Sequence, residues 1–131
     1  MTVELTDEGI AFVTDYHLAI LSTFARDGGI HSVPVGFTLE DGVVRIITGD
    51  GTQKVRNVER GGHATVSQVE RARWVTFVGS ATINRDPAAV AHAVALYAAR
   101  YRQPRENPTR VVIEIAVEKV MGSSTIRTAR A

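Results

Sequence analysis

One short polar segment, spanning residues 52–57 (Thr-Gln-Lys-Val-Arg-Asn), contains the side chains best suited to bind a charged ligand. It follows a β-branched run that ends at a Gly-Asp-Gly turn, and Thr52 stands where a helix N-cap is expected. The unpaired N–H groups of a helix start carry a partial positive charge that attracts anions. Lys54 adds a full charge in the first turn, and Asn57, three residues on, shares its helix face. The segment predicts a phosphate site, although its charges would also suit the solvated face of a surface helix.

The rest of the sequence gives little support to chemistry carried by the protein's own side chains. There is no cysteine, which excludes thiolate catalysis and disulfides, and there is no Gly-x-Ser-x-Gly motif. The four histidines (His17, His31, His63 and His92) lack the spacing of metal ligands, so no metal site is predicted. Neither a Gly-x-Gly-x-x-Gly fingerprint nor a Walker loop occurs. A bound redox cofactor would then carry the chemistry, while the protein positions and polarises it.

Length and charge restrict the class of protein. The 131 residues are enough for one domain, predicted over residues 1–131, and their composition is ordinary for a globular protein, with 44% hydrophobic and 22% charged residues. A net charge of +1 argues against a dedicated nucleic-acid binder, which would be strongly basic. No apolar run approaches the roughly 18 residues that span a bilayer. We therefore expect a soluble, cytoplasmic protein without a membrane or nucleic-acid partner.

Alternating apolar residues predict a mainly-β protein of about six strands and three helices. Strands are expected near 17–24, 30–39, 43–49, 64–70, 74–83 and 111–118, with Asp-Gly turns joining the first three. Helices are expected to begin after Thr6, after Thr52 and at Asp86-Pro87. So many strands in a short chain favour a closed or nearly closed barrel, because closure removes exposed edges. The longest helix would pack outside the barrel or across one opening.

Two surfaces stand out within these predicted elements. The second strand presents a row of small or polar residues that includes Pro34 and Gly36, and such a row lets a flat ligand approach the backbone. An ordinary edge strand would have the same pattern. On the long helix, residues recurring at helical spacing predict a buried stripe: Val90, Val94, Tyr97 and Tyr101.

Several segments resemble a known family. They are His-Leu-Ala-Ile-Leu-Ser-Thr at 17–23, Pro-Val-Gly-Phe at 34–37, Gln-Lys-x-x-Asn at 53–57 and Arg-Trp-Val-x-Phe-x-Gly at 73–79. In this order they are similar to the flavin and deazaflavin oxidoreductases with the pyridoxamine-phosphate-oxidase-like, FMN-binding split barrel, a Greek-key β fold with peripheral helices. The segments at 100–108 and 111–114 are most similar to the F420-dependent biliverdin reductases of actinobacteria.

The resemblance implies a homodimer with two sites for coenzyme F420, or alternatively FMN, at the subunit interface. Lys54 and Asn57 match the phosphate-binding positions, with Gln53 beside them. Thr52 stands where many relatives carry an arginine. The remaining implied cofactor contacts are Pro34, Val35, Ile47 and Thr48 against the ring, and Ser67, Gln68 and Trp74 near the ring or the partner subunit.

The implied reaction is hydride transfer from reduced F420 to an electron-poor acceptor, in the first place the tetrapyrrole biliverdin, which becomes bilirubin. The cofactor carries this chemistry, so no catalytic side chain is predicted, and water or an arginine-held water would supply the proton. Arg102 and Arg105 are candidates to pair with the acceptor's propionates, although they could equally belong to a solvated loop. Two alternatives remain open: an FMN-dependent oxidase or reductase, and a non-catalytic carrier of F420, haem or a fatty acid.

Overall fold

A computed structural model describes residues 4–128, which form seven strands and three helices. The elements follow the order α1 (Asp7–Thr14), β1 (Ala19–Phe24), β2 (Ile30–Val35), β3 (Thr38–Glu40), β4 (Val43–Gly49), α2 (Gln53–Gly61), β5 (His63–Glu70), β6 (Arg73–Asn84), α3 (Pro87–Arg100) and β7 (Arg110–Gly122). The mainly-β class and the three helix starts are as the sequence predicts.

All seven strands join one antiparallel sheet in the order β2-β1-β5-β6-β7-β4-β3. Its two end strands, β2 and β3, are consecutive in the chain, and only Gly36 and Phe37 separate them. Three Cα–Cα steps span about 11 Å, whereas six strand spacings across a flat sheet would need about 29 Å. The sheet must therefore curl until its two ends come together, which gives a barrel that is split between β2 and β3.

The split corrects one prediction, since residues 30–39 form two strands instead of one. Tyr101 and Arg100 hold the break at Phe37. The Phe37 N–H donates to Tyr101 Oη (3.1 Å), and the Phe37 carbonyl accepts from Arg100 Nη1 (2.6 Å). These hydrogen bonds take the place of strand pairing at this point. The chain then turns into β3, which pairs with β4.

The barrel interior is filled by alternate residues of the strands and closed by helices. Fully buried side chains include Leu21, Val44, Val66, Phe77 and Ile115, while Phe12 of α1 and Val58 of α2 cover the interior. In β6 the alternate residues Val75, Phe77 and Ala81 are buried and face the interior.

The helix ends are set by local sequence signals. Thr6 Oγ1 accepts a hydrogen bond from Gly9 N (3.0 Å), which confirms it as the cap of α1. Pro87 opens α3 directly after Asp86. Thr52 precedes α2 but does not cap it with its side chain, because its hydroxyl donates to the Gly49 carbonyl (3.0 Å). In residues 4–128 no helix is long and apolar enough to cross a membrane.

The predicted stripe of α3 is less buried than expected. Val90, Val94, Tyr97 and Tyr101 are all half-buried, and only Ala93 of this helix is fully buried. The reason is the position of α3 over the split, where its tyrosines face the Gly36 backbone and a cavity instead of the closed core.

Candidate functional site

A cavity of about 290 Å³ opens at the split of the barrel. The ten residues that line it come from five parts of the chain: Pro34, Val35, Gly36, Ile47, Thr48, Lys54, Tyr97, Pro104, Asn107 and Arg110. Five of the predicted cofactor contacts are thereby brought together, namely Pro34, Val35, Ile47, Thr48 and Lys54. The structure gathers these five positions in one place, and their contact with a cofactor stays a prediction.

Barrel closure explains how residues distant in sequence meet here. The ends of β2 and β4 are not paired with each other, but curling of the sheet brings Val35 and Thr48 to the same opening. Gly51, at a φ of 78°, makes the sharp turn from β4 into α2 and so places Lys54 beside the end of β4. Pro34 lies on an end strand of the sheet, where the loss of a backbone donor is tolerated.

The electrostatics of the cavity favour an anion. Partial burial lowers the pKa of the Lys54 ammonium, and among residues 4–128 this ammonium has no carboxylate within 4 Å. Because the Thr52 hydroxyl is turned to Gly49, no side chain caps the first-turn N–H groups of α2. A charged amine and a helix start therefore offer donors without a protein acceptor. No group of three potential metal ligands occurs in the described part of the chain.

One wall of the cavity was not assigned a role from the sequence. It consists of Tyr97 on α3 together with Pro104, Asn107 and Arg110 on the loop and strand that follow. Tyr97 had a helical-stripe signal, which predicts burial but not a ligand. Arg110 lies in a part of the sequence that also contains Arg100, Arg102 and Arg105, but this cluster alone does not predict a ligand contact for Arg110. Only the register, in which Arg110 pairs with Gly49 at the end of β4, brings it to this cavity.

Gln53 and Asn57 do not line the cavity. Asn57 is fully buried and fastens α2 to β1: its Nδ2 donates to Thr23 Oγ1 (3.1 Å). Its Oδ1 accepts from Gln53 Nε2 (2.7 Å) and from Arg60 Nη2 (2.9 Å). The two residues thus hold the helix that carries Lys54, and their predicted contact with a cofactor stays a prediction.

Gln68 also lies outside the cavity lining and is buried near the C-terminal end of β5. Its Nε2 donates to the Phe12 carbonyl (2.7 Å), and its Oε1 accepts from Arg100 Nη2 (2.8 Å). Arg100 also donates to the Asp15 carbonyl (2.9 Å), so this network ties α3 to α1 and to the break at Phe37.

The other predicted contacts lie at the surface. Ser67 hydrogen-bonds Thr76 (2.6 Å) on the outer face of the sheet, and Trp74 is 40% exposed at the start of β6. Arg102 and Arg105 are exposed on the loop after α3 and do not line the cavity. None of these four is brought to the cavity within this chain.

Comparison with known proteins agrees with the fold. Residues 5–123 match the pyridoxamine 5'-phosphate oxidase family. An F420H(2)-dependent biliverdin reductase of Mycobacterium tuberculosis is 46% identical over 127 residues, which cover 95% of this chain and 93% of that protein.

Solved structures of low sequence identity share the fold. A conserved hypothetical protein of Mycobacterium tuberculosis superposes with a TM-score of 0.77 at 21% identity, over 92% of this chain and 85% of that one. An F420 reductase superposes with a TM-score of 0.74 at 21% identity, over 88% and 98%. The match over nearly the whole chain places this protein in the pyridoxamine 5'-phosphate oxidase family, with its split barrel.

Proposed function

We propose that this protein is an F420-dependent oxidoreductase whose acceptor is biliverdin, which it reduces to bilirubin. The observation that carries the proposal is the cavity at the barrel split, which is lined by the ends of β2 and β4 and by Lys54. Among residues 4–128 Lys54 has no carboxylate partner, and it lies in the first turn of a helix that has no side-chain cap. The 46% identical biliverdin reductase supports both the cofactor and the acceptor.

The residues present fit the cofactor's chemistry. Lys54 and the first-turn N–H groups of α2 would hold the anionic phosphate, and Thr48 adds a hydroxyl. Pro34 and Val35 would present their backbone and apolar side chains to the ring, and Ile47 is a further apolar residue of the lining. When bound, reduced F420 supplies a hydride from C5 to an electron-poor carbon of the acceptor, which in biliverdin is the central methine.

In the reaction the protein itself binds the cofactor and the acceptor, orients them and excludes water from them. No Asp, Glu or His lines the cavity within residues 4–128, so no side chain there acts as a carboxylic or imidazole acid. Water, held by the arginines or free, would deliver the proton to a pyrrole nitrogen of the acceptor. Arg102 and Arg105 do not line the cavity, but they lie on the loop that contributes Pro104 to the lining. In this proposal they bind propionates of the acceptor at the rim.

The homodimer belongs to the same proposal. Strands β1, β2, β5 and β6 expose apolar side chains on their outer face: Ile20, Phe24, Ile30, Val69 and Trp74. The same face contains a hollow of about 420 Å³ between Phe24, Ile30 and Val78. A second copy of the chain would cover this surface.

This face continues to the cavity. Pro34 of the cavity lies in one cross-strand row with Ile20, Ser67 and Thr76 of the outer face. A partner seated on the face would therefore stand beside the cofactor site, as the family resemblance implies. Ser67 and Trp74 would then contribute from the interface.

The first test is a fluorescence titration of the purified protein with oxidised F420, run beside a titration with FMN. Micromolar or tighter binding of F420 with weak binding of FMN supports the proposal. Reduced F420 is then mixed with biliverdin, and loss of biliverdin absorbance with formation of bilirubin is followed. Preference for FMN would overturn the cofactor assignment, and tight F420 binding without turnover would indicate a carrier.

A further inference from the structure

We propose that Arg110 and Asn107 form a second anion subsite of the cavity, separate from Lys54, which binds a carboxylate of the bound ligand. The subsite lies where the α3–β7 loop enters β7, on the wall of the cavity that adjoins the end of β4. The identity of the ligand rests on the proposed function, whereas the existence of the subsite rests on the geometry of these two residues.

Arg110 is held in place by main-chain contacts that leave its charge available. Its Nη2 donates to the Arg105 carbonyl (2.6 Å), and its backbone N–H donates to the Asn107 carbonyl (3.1 Å). Register with Gly49 fixes its backbone beside the end of β4. In the described chain no carboxylate lies within 4 Å of the guanidinium, so most of its five N–H donors remain free for a ligand.

Asn107 is oriented so that it adds donors to the same wall. Its Oδ1 accepts from Thr109 N (3.0 Å) and from Thr109 Oγ1 (2.9 Å). With the oxygen used within the loop, the Nδ2 amide is the polar group left for the cavity, and Nδ2 has no hydrogen-bond acceptor among residues 4–128. An oriented amide next to a guanidinium suits a carboxylate, which accepts several hydrogen bonds at once.

The charges that line the cavity are complementary to a ligand with two acidic groups. Lys54 on α2 and Arg110 on β7 face the same space from different elements, and no carboxylate lines it within the described residues. Two cations without a protein counter-charge repel each other until an anion is bound. A phosphate at Lys54 leaves the charge of Arg110 to a second group of the ligand.

Two sources can supply that carboxylate, the acidic tail of the cofactor and the propionates of the acceptor. The test substitutes Arg110→Gln and Asn107→Leu. Arg56→Gln is the matched control, because Arg56 is exposed on α2 and does not line the cavity. For each variant we measure the Kd of F420, and the KM of biliverdin at saturating reduced F420.

A rise of about tenfold or more in the Kd of F420 for Arg110→Gln assigns the carboxylate to the cofactor. The same rise in the KM of biliverdin, with the Kd of F420 unchanged, assigns it to the acceptor. Values within twofold of the Arg56→Gln control in both assays overturn the subsite while leaving the proposed function standing.

An assay without cofactor keeps the two proposals distinguishable. Glutarate is titrated into ¹⁵N-labelled protein, and the Asn107 side-chain amide and the Arg110 Nε–H are followed by NMR. We expect saturable shifts of both signals in the wild type and in Lys54→Gln, and loss of the Asn107 shift in Arg110→Gln. If neither signal moves in the wild type, the subsite is refuted even if F420 binds. If both move while F420 fails to bind, the subsite stands and the cofactor assignment falls.

Discussion

Lys54 is the residue on which the proposed cofactor site depends most. Its ammonium is partly buried, and no carboxylate of residues 4–128 lies within 4 Å of it, so a bound anion would supply the missing negative charge. We predict that Lys54→Ala weakens F420 binding by about 1.5–3 kcal/mol, the usual value of a charged hydrogen bond. Fluorescence titration measures the loss, with Arg56→Ala as the control for removal of a positive charge from the same helix. Equal affinities of wild type and Lys54→Ala would return Lys54 to a solvated helix face.

The pH dependence of binding tests the same residue independently. Burial lowers the pKa of Lys54, so the ammonium is fully charged below this lowered pKa and loses its proton as the pH rises through it. We predict that F420 affinity declines with rising pH, and that the decline begins below the usual lysine range. In Lys54→Arg the guanidinium stays charged, so this decline should be absent. The ratio of the two affinities at each pH removes ionisations of the ligand, and a pH-independent ratio would contradict the assignment.

Among the elements, α3 is held over the split by Tyr101. The Oη of Tyr101 donates to the His17 carbonyl (2.7 Å) and accepts from the buried Phe37 N–H (3.1 Å). We predict that Tyr101→Phe lowers the free energy of unfolding by about 1–3 kcal/mol, because a buried donor loses its partner. Tyr16→Phe is the matched control, since Tyr16 is 65% exposed and its hydroxyl bonds no described residue. Denaturant unfolding followed by circular dichroism measures the free energy of unfolding of both variants. Equal losses in the two variants would contradict the proposed role of Tyr101 in holding α3.

The elements also show which parts of the fold can be predicted from the sequence. Signals carried by adjacent residues, such as Asp86-Pro87 and the alternation of Val75 and Phe77, predict elements that the structure confirms. The break at Phe37 was not predictable, because it depends on hydrogen bonds to residues more than 60 positions away. Periodicity reports which face of one element is apolar, and it does not report which elements meet when a sheet closes.

The same reason explains the candidate site. Lys54 could be predicted as a site residue because a helix start, a charge and a turn lie within a few residues of one another. Arg110 could not be predicted as a site residue, because its position beside the end of β4 depends on the register between two strands. Asn57 has the spacing to share a face with Lys54, yet its burial turns it to Thr23 and gives it a role in holding α2.

At the scale of the whole molecule, the barrel leaves one of its faces apolar. Ile20 and Phe24 alternate along β1 with buried residues, and both point away from the interior. Together with Ile30 and Trp74 they form a surface that a small barrel does not need for its own core. Because this surface adjoins Pro34 of the cavity, pairing of two copies and cofactor binding should be coupled.

We predict that Phe24→Glu prevents formation of the proposed homodimer, since the charge would be buried without a partner in the interface. Phe24 is 51% exposed in the single chain, so the substitution should leave the free energy of folding of the monomer nearly unchanged. Ile10→Glu is the matched control, because Ile10 is 53% exposed on α1 and lies outside this face. Sedimentation velocity gives the mass, and F420 titration gives the affinity.

If the cofactor sites lie at the interface, Phe24→Glu loses both the dimer and the affinity for F420, while Ile10→Glu keeps both. A Phe24→Glu protein that still sediments as a dimer would show that this face is not the interface, and a monomer that binds F420 as tightly as the wild type would show that each site is complete within one chain.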